Sequence, residues 1–126
     1  MNRLRREAFE AWMDAYGRAS REDDPGASAE LFTEEAQYHE NPFDEPLTGR
    51  PAIFKYWAKG ARTLKDKETS YEILSIDGSR GIARWKSEFT SIESGKRFAL
   101  DCIFVVEFDE ADKCHLFREW WHIKPS

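Results

Sequence analysis

Two hydrophobic periods divide the chain. Up to Leu64, apolar residues recur every three or four positions, the spacing of one helix face; from Glu68 onward they alternate with polar ones, the spacing of a half-buried strand. Leu4, Ala8, Ala11, Trp12, Ala15, Tyr16 and Ala19 form one stripe and predict an amphipathic helix over about residues 2–20, opening at Asn2. Asp24 is placed to cap a short second helix with Pro25 at its first position, running through Ala29, Leu31 and Phe32. Residues 36–40 are short enough for an isolated edge strand, and 41–49, with two prolines and no helical period, read as a constrained loop. Thr48 or Gly49 then opens a third helix, with Pro51 in its first turn and Ile53, Tyr56, Trp57, Gly60, Ala61 and Leu64 on one face. Gly60 within that face points to close packing or an early end.

Strands are expected near 68–76, 81–91, 97–108 and 114–124, joined by the turn signals Asp77-Gly78, Ser94-Gly95 and the polar run DEADK at 109–113. In the second of them Arg84, Lys86, Glu88 and Thr90 alternate with Trp85, Ser87 and Phe89, giving one wet and one apolar face. Helices followed by a meander of strands define an α+β domain, with the helices packed on one face of a curved antiparallel sheet. The last hairpin carries the chemistry. Along its second arm Phe117, Glu119 and Trp121 share one face while Leu116, Arg118, Trp120 and His122 share the other, because strand side chains alternate. If the first face looks into a cavity, Glu119 sits between two rings where a carboxylate is costly to ionise, the environment of an acid or base.

The 126 residues suffice for one domain with a single core. The 19 Lys and Arg against 24 Asp and Glu leave a formal charge of −5, which argues against nucleic acid and anionic membrane, both of which want a basic face. No apolar run approaches membrane-spanning length, and the first residues are charged and helical, unlike a signal peptide, so a cytoplasmic protein is the default expectation. With the turn at 109–113, Cys114 pairs near Phe108 and Cys102 near Trp120, roughly 20 Å apart at about 3.4 Å per residue. They cannot bridge each other, and free thiols fit a reducing compartment.

At LFTEEAQYHENPFDEPLTGRPAIFKYW and FVVEFDEADKCHLFREWW the chain resembles the SnoaL-like branch of the nuclear transport factor 2-like superfamily. Members commonly show an acidic pair before the first strand, a Pro-containing loop, a helix opened by G-R/H-x-A-I and a final strand ending in an R-E-W-W type pattern. The resemblance covers nearly the whole chain through the order of these motifs. It implies a cone: a bent sheet wrapped by helices around an apolar pocket, with a homodimer formed through the outer sheet face. The superfamily holds ketosteroid isomerases, polyketide cyclases, limonene epoxide hydrolases, dehydratases and noncatalytic proteins, so fold does not settle function. Set against the steroid isomerases, the catalytic base falls on Asn41 and the oxyanion acid on Phe104, neither able to do that work, while the pocket-lining tryptophan matches Trp121. Set against the epoxide hydrolases, Tyr38 matches the water-positioning tyrosine, Glu40 stands where asparagine is expected, and Glu119 falls near one carboxylate of the catalytic set. One comparison turns His39 and Asn41 inward, the other Tyr38 and Glu40.

The expected proton-transfer group is Glu119, with His39 or Tyr38 as hydrogen-bond partner; the competing reading makes Glu119 a structural carboxylate bonded to Arg84, Tyr38 or a backbone donor. Trp12, Tyr16, Phe43, Trp57, Trp85, Phe89, Cys102, Phe104, Phe117 and Trp121 are the expected substrate walls. The spacing of His39, Glu40 and His122 resembles no metal motif. Two functions follow. One is a cofactor-independent enzyme using acid-base chemistry of isomerase, cyclase or hydrolase type on a small apolar, oxygenated molecule. The other is a noncatalytic ligand-binding or dimerisation module. A pocket of several hundred Å3 keeps the first open, whereas a cone plugged by Trp57, Trp85 and Phe104 ends it.

Overall fold

A computed structural model describes residues 3–126. The order is α1 (Arg6–Arg21), α2 (Pro25–Glu30), β1 (Phe32–His39), β2 (Leu47–Thr48), α3 (Arg50–Thr63), β3 (Leu64–Asp77), β4 (Arg80–Ser91), β5 (Arg97–Phe108) and β6 (Cys114–Pro125). The expected α+β architecture is present: helices pack on one face of a curved, unclosed sheet of order β2-β1-β6-β5-β4-β3. Strands β3 to β6 form an antiparallel meander, and β1 lies parallel to β6. Register shifts in β3 after Lys65 and after Ile73, and in β6 at His115, bend the strands, as an extra residue on one side of a ladder does.

The helices follow the sequence pattern with shifted edges. The expected first residue of α1, Asn2, lies outside the described residues, and the helix begins at Arg6 because Leu4 is buried in extended chain and donates its N–H to Gly78 O at 2.8 Å. The buried face of α1 is Phe9, Trp12, Met13 and Tyr16, while Ala11 is exposed. The helix is turned toward its largest side chains, since apolar area sets the gain on burial. Asp24 caps α2 as expected, accepting the Ala27 N–H at 3.0 Å. That helix stops at Glu30, and Phe32 opens β1 instead. Far from being an isolated edge strand, β1 has neighbours on both sides, β6 and the two-residue β2 inside the Pro-rich loop. Gly49 caps α3 with φ 89°, a conformation open to glycine at little cost. A Cβ at Gly60 would meet nothing within 4 Å, so the expected close packing there is absent.

The inward faces of the strands and the buried faces of the helices meet in an aromatic core. Phe117 stacks on Tyr38, with ring centroids 4.4 Å apart, and lies near-parallel to Tyr16 at 5.9 Å, while Phe104 meets it edge-on at 4.7 Å. Cys102 pairs with Trp121 and Cys114 with Phe108 across the β5–β6 ladder, and both thiols are free and buried. On the outer face Arg84 donates to both carboxylate oxygens of Asp101, at 3.0 and 2.6 Å, and so is not a partner of Glu119.

Two glycines separate packing from propensity. A Cβ at Gly81 would stand 2.5 to 2.8 Å from the Phe9 ring, so Gly81→Ala is expected to destabilise by about 1–3 kcal/mol through overpacking. Gly60→Ala, in open space on a helix, is expected to stabilise by about 0.5–1 kcal/mol. Urea denaturation of both variants checks the opposite signs.

Candidate functional site

The register of β1 on β6 settles which side of each strand looks inward. Tyr38 pairs with Phe117 and His39 with Arg118, so Tyr38 shares the inner face with Phe117 and Glu119, and His39 shares the outer face with Arg118. His39 is therefore not a cavity residue, and the pairing proposed between it and Glu119 is not formed. Glu40, the next inward position after Tyr38, follows the last residue of β1, and its backbone carbonyl accepts the Trp121 indole N–H at 3.0 Å.

Glu119 is only 8% exposed although it is a carboxylic acid. The Tyr38 hydroxyl donates to its Oε2 at 3.3 Å, and the Tyr16 hydroxyl lies 3.3 Å from that of Tyr38, so a chain of hydroxyls runs from α1 across β1 to β6. Burial, then the negative charge of Glu40, pushes the Glu119 carboxyl up to about 8, only partly offset by the Tyr38 hydrogen bond. Burial and the Glu119 charge raise Tyr16, Tyr38 and Tyr56 above the usual phenol range, and Tyr56 also hydrogen-bonds Glu40. The Cys102 thiol is raised for the same two reasons and stays protonated. Around Glu119 the inner face thus presents hydroxyl and thiol donors beside an acid that burial makes hold its proton.

Beside Glu119 lies a cavity of about 170 Å3, smaller than the several hundred expected but not plugged. Tyr16, Trp57, Trp85, Phe89, Cys102 and Phe104 line it as expected, with Tyr38 and Glu119. Its size follows from the rings that wall it: Tyr16 meets Trp57, Trp85 and Phe104 edge-on at 5.0 to 5.3 Å, which narrows the cone from three sides. The other expected walls stand elsewhere. Phe43 is 94% exposed at the tip of the Pro-rich loop, where the side chain of Asn41 holds the turn by accepting the Phe43 and Asp44 N–H groups. Trp12 packs deeper, against Phe32 and Phe108, and donates to Leu31 O at 3.0 Å. Phe117 lies behind the tyrosines, and Trp121 stands 40% exposed past the rim.

Several cavity residues carried no role in the sequence reading: Tyr56, Ser20, Leu64, Lys67, Ser87 and Leu100. Tyr56 shared a predicted helix face with Trp57, a signal that was available. Lys67 shares the parity of Thr69 and Tyr71 and was left out because the expected strand begins at Glu68; Asp66, with φ 52°, interrupts the extended chain just before it. Among the described residues no cluster of three His, Cys, Asp or Glu side chains could hold a metal ion, and no helix is long and apolar enough to cross a membrane.

The fold and the buried acid define a class of small α+β cone proteins with an acid-bearing cavity. The model of the SnoaL-like domain matches residues 9–115, and the chain belongs to that family. No curated protein sequence matches it. Among solved structures it is similar to the epoxide hydrolase/cyclase-like enzyme SalBIII, described in pyran ring formation in the polyether salinomycin. The two share 21% identity over 93% of this chain and 95% of the other, with a TM-score of 0.79. A protein from Bacillus subtilis provisionally described as an isomerase is 20% identical over 92% of this chain and 87% of its own, with a TM-score of 0.80. A protein from Catenulispora acidiphila with a ketosteroid isomerase-like fold, solved with trimethylamine, is 14% identical over 86% and 83%, with a TM-score of 0.76. At these identities the likeness concerns the fold.

The raised acidity of Glu119 has a sign for stability. Unfolded, the group titrates near 4.5; folded, near 8. Its contribution is fully present below the lower value and is lost as pH rises toward the upper one, because the unfolded chain sheds a proton the folded chain retains. Wild type should therefore lose a few kcal/mol of stability between pH 5 and pH 9 from this group, and Glu119→Gln should lack that component. Urea midpoints across the range, compared between the two proteins, read the difference directly.

Proposed function

We propose that the protein is a cofactor-independent acid-base catalyst acting on a small, largely apolar, oxygenated molecule, with Glu119 as the acid. The observation that carries the reading is a carboxylic acid buried at the wall of an aromatic cavity, where burial and the Glu40 charge make it hold its proton. With Oε2 occupied by the Tyr38 hydroxyl, the acid proton is available on the other oxygen. A carbonyl or epoxide oxygen placed there would accept a hydrogen bond that becomes proton donation as charge develops. Tyr38, itself bonded to Tyr16, orients the carboxyl, and the negative charge of Glu40 favours its protonated form. Isomerase, cyclase and hydrolase chemistry all draw on such a donor. The cavity sets the size: an apolar void of about 150 Å3 takes benzene, so about 170 Å3 suits a one-ring body and not a steroid. The two buried free thiols fit a reducing compartment and support placement in the cytoplasm.

A second reading, a dimerisation module with or without a ligand, draws on the outer face. Ile103 and Trp120 are cross-strand partners, 37% and 45% exposed, with the Arg118 guanidinium 6.0 Å from the Trp120 ring. We place a second copy of the chain on this face in either reading. Trp120→Glu should then shift a dimer to monomer in analytical ultracentrifugation, and an unchanged mass would remove the face from any interface.

The enzyme reading is tested with a panel of small ketones and epoxides. For any compound turned over, Glu119→Gln should lower the rate by about 100-fold or more. The wild-type rate should fall as pH rises through about 8, where Glu119 loses its proton. Equal rates in the two proteins would exclude Glu119 from the chemistry.

A further inference from the structure

The cavity has a second polar end that the acid chemistry does not use. Lys67 is the only Lys or Arg among the residues that line it, and its side chain is only 7% exposed. A buried ammonium needs acceptors, and two of its three N–H groups have them: Ser20 O at 3.0 Å and Asp23 Oδ1 at 2.6 Å. Among the described residues the third has no acceptor. Asp23 belongs to no cavity wall; it is 45% exposed in the turn after α1, with φ 54°, so its carboxylate can turn out into water.

Two serines line the cavity with Lys67. Ser87 and Ser20 are 7% and 8% exposed, both line the cavity, and neither side chain makes a hydrogen bond. Both oxygens are open to the cavity, where they can take a ligand or water, and the buried Trp57 indole N–H, also in its wall, has no partner either. Their placement follows from the register. Thr69 on β3 pairs with Ser87 on β4, and Lys67 is the next inward position along β3, diagonal to Ser87. Ser20 reaches the same point from the last turn of α1 and holds Lys67 through its backbone. Leu64, Phe89 and Leu100 line the cavity with these polar groups and give it apolar surface. Glu119 pairs with Phe104 and Phe104 with Ala83, whereas Ser87, beside Lys67, pairs with Leu100, four residues farther along both strands, which puts the ammonium and the acid at separate ends.

We propose that Lys67 Nζ, Ser87 Oγ and Ser20 Oγ form a carboxylate-binding subsite at the end of the cavity remote from Glu119, so that the ligand is a small monocarboxylic acid. Its carboxylate displaces Asp23 from the ammonium and takes the two free hydroxyls, while an apolar body fills the space between. One ammonium and two hydroxyls match a singly charged planar group, and the volume leaves room for one ring beside it. The oxygen function at the far end rests on the acid role given to Glu119; the subsite itself does not.

Benzoate and its neutral isostere benzamide are suitable probes, with binding followed by calorimetry. Wild type should bind benzoate roughly tenfold or more tighter than benzamide, as a charge-assisted bond allows. Lys67→Met should erase the preference and Lys67→Arg should keep part of it. Ser87→Ala should weaken benzoate about threefold or more and leave benzamide unchanged. Asp23→Asn removes the competing carboxylate without disturbing a left-handed turn position that Asn also favours. It should tighten benzoate alone, which covers the case in which the Lys67 variants fold poorly. Glu119→Gln should retain the preference, so failure of the acid role and failure of the subsite are separable. Equal affinity for the two probes, no saturable binding of either, or a preference that survives Lys67→Met would each overturn the proposal and leave the hydroxyls to water.

Discussion

One carboxylic acid kept out of water organises this molecule. Ionised, Glu119 would sit at 8% exposure among rings, with a second negative charge on Glu40 nearby and a single phenolic hydroxyl in return. The energetic answer is to keep its proton. Everything that makes this possible belongs to the packing: β1 laid parallel on β6 so that Tyr38 reaches the acid, α1 delivering Tyr16 to Tyr38, and α3 closing the cavity with Tyr56 and Trp57. Without the β1–β6 pairing the same glutamate on an open strand would be an ordinary surface carboxylate.

The cavity itself is a compromise between two uses of aromatic rings. Rings fill volume and stabilise the cone, yet the same rings must leave space for a ligand. Here Tyr16 meets Trp57, Trp85 and Phe104 edge-on while Trp85 and Phe104 stack on each other, and the remainder is a cavity of about 170 Å3 with the acid and hydroxyls at one end and an ammonium at the other. The fold alone does not assign a chemistry, since one architecture hosts many functions.

The pattern along the chain foretold a large part of this. Period-two alternation marked Phe117 and Glu119 as sharing a face with Trp121, and the structure buries the first two. The same alternation assigned Trp85, Ser87 and Phe89 inward in β4, and all three line the cavity. Alternation carried back from Tyr71 and Thr69 also turns Lys67 inward, but the strand read from the sequence starts at Glu68 and leaves Lys67 out; the irregularity between Lys65 and Glu68 hides where the strand begins. Composition was equally blind to Phe43, an aromatic residue that a turn built on Asn41 carries into solvent.

What the sequence determined alone were the local matters: which segments are helix or strand, which residues share a face, and that a lone carboxylate falls among apolar neighbours. These follow from periods of 3.6 and 2, which are written within each segment. The choice between His39 and Tyr38 as the inward residue, the presence of Glu40 beside the acid, and the joining of Lys67, Ser87 and Ser20 were decided only by tertiary structure. Each depends on the register between strands distant in sequence or on a helix end brought against them. A single segment carries no information about the partner it will face.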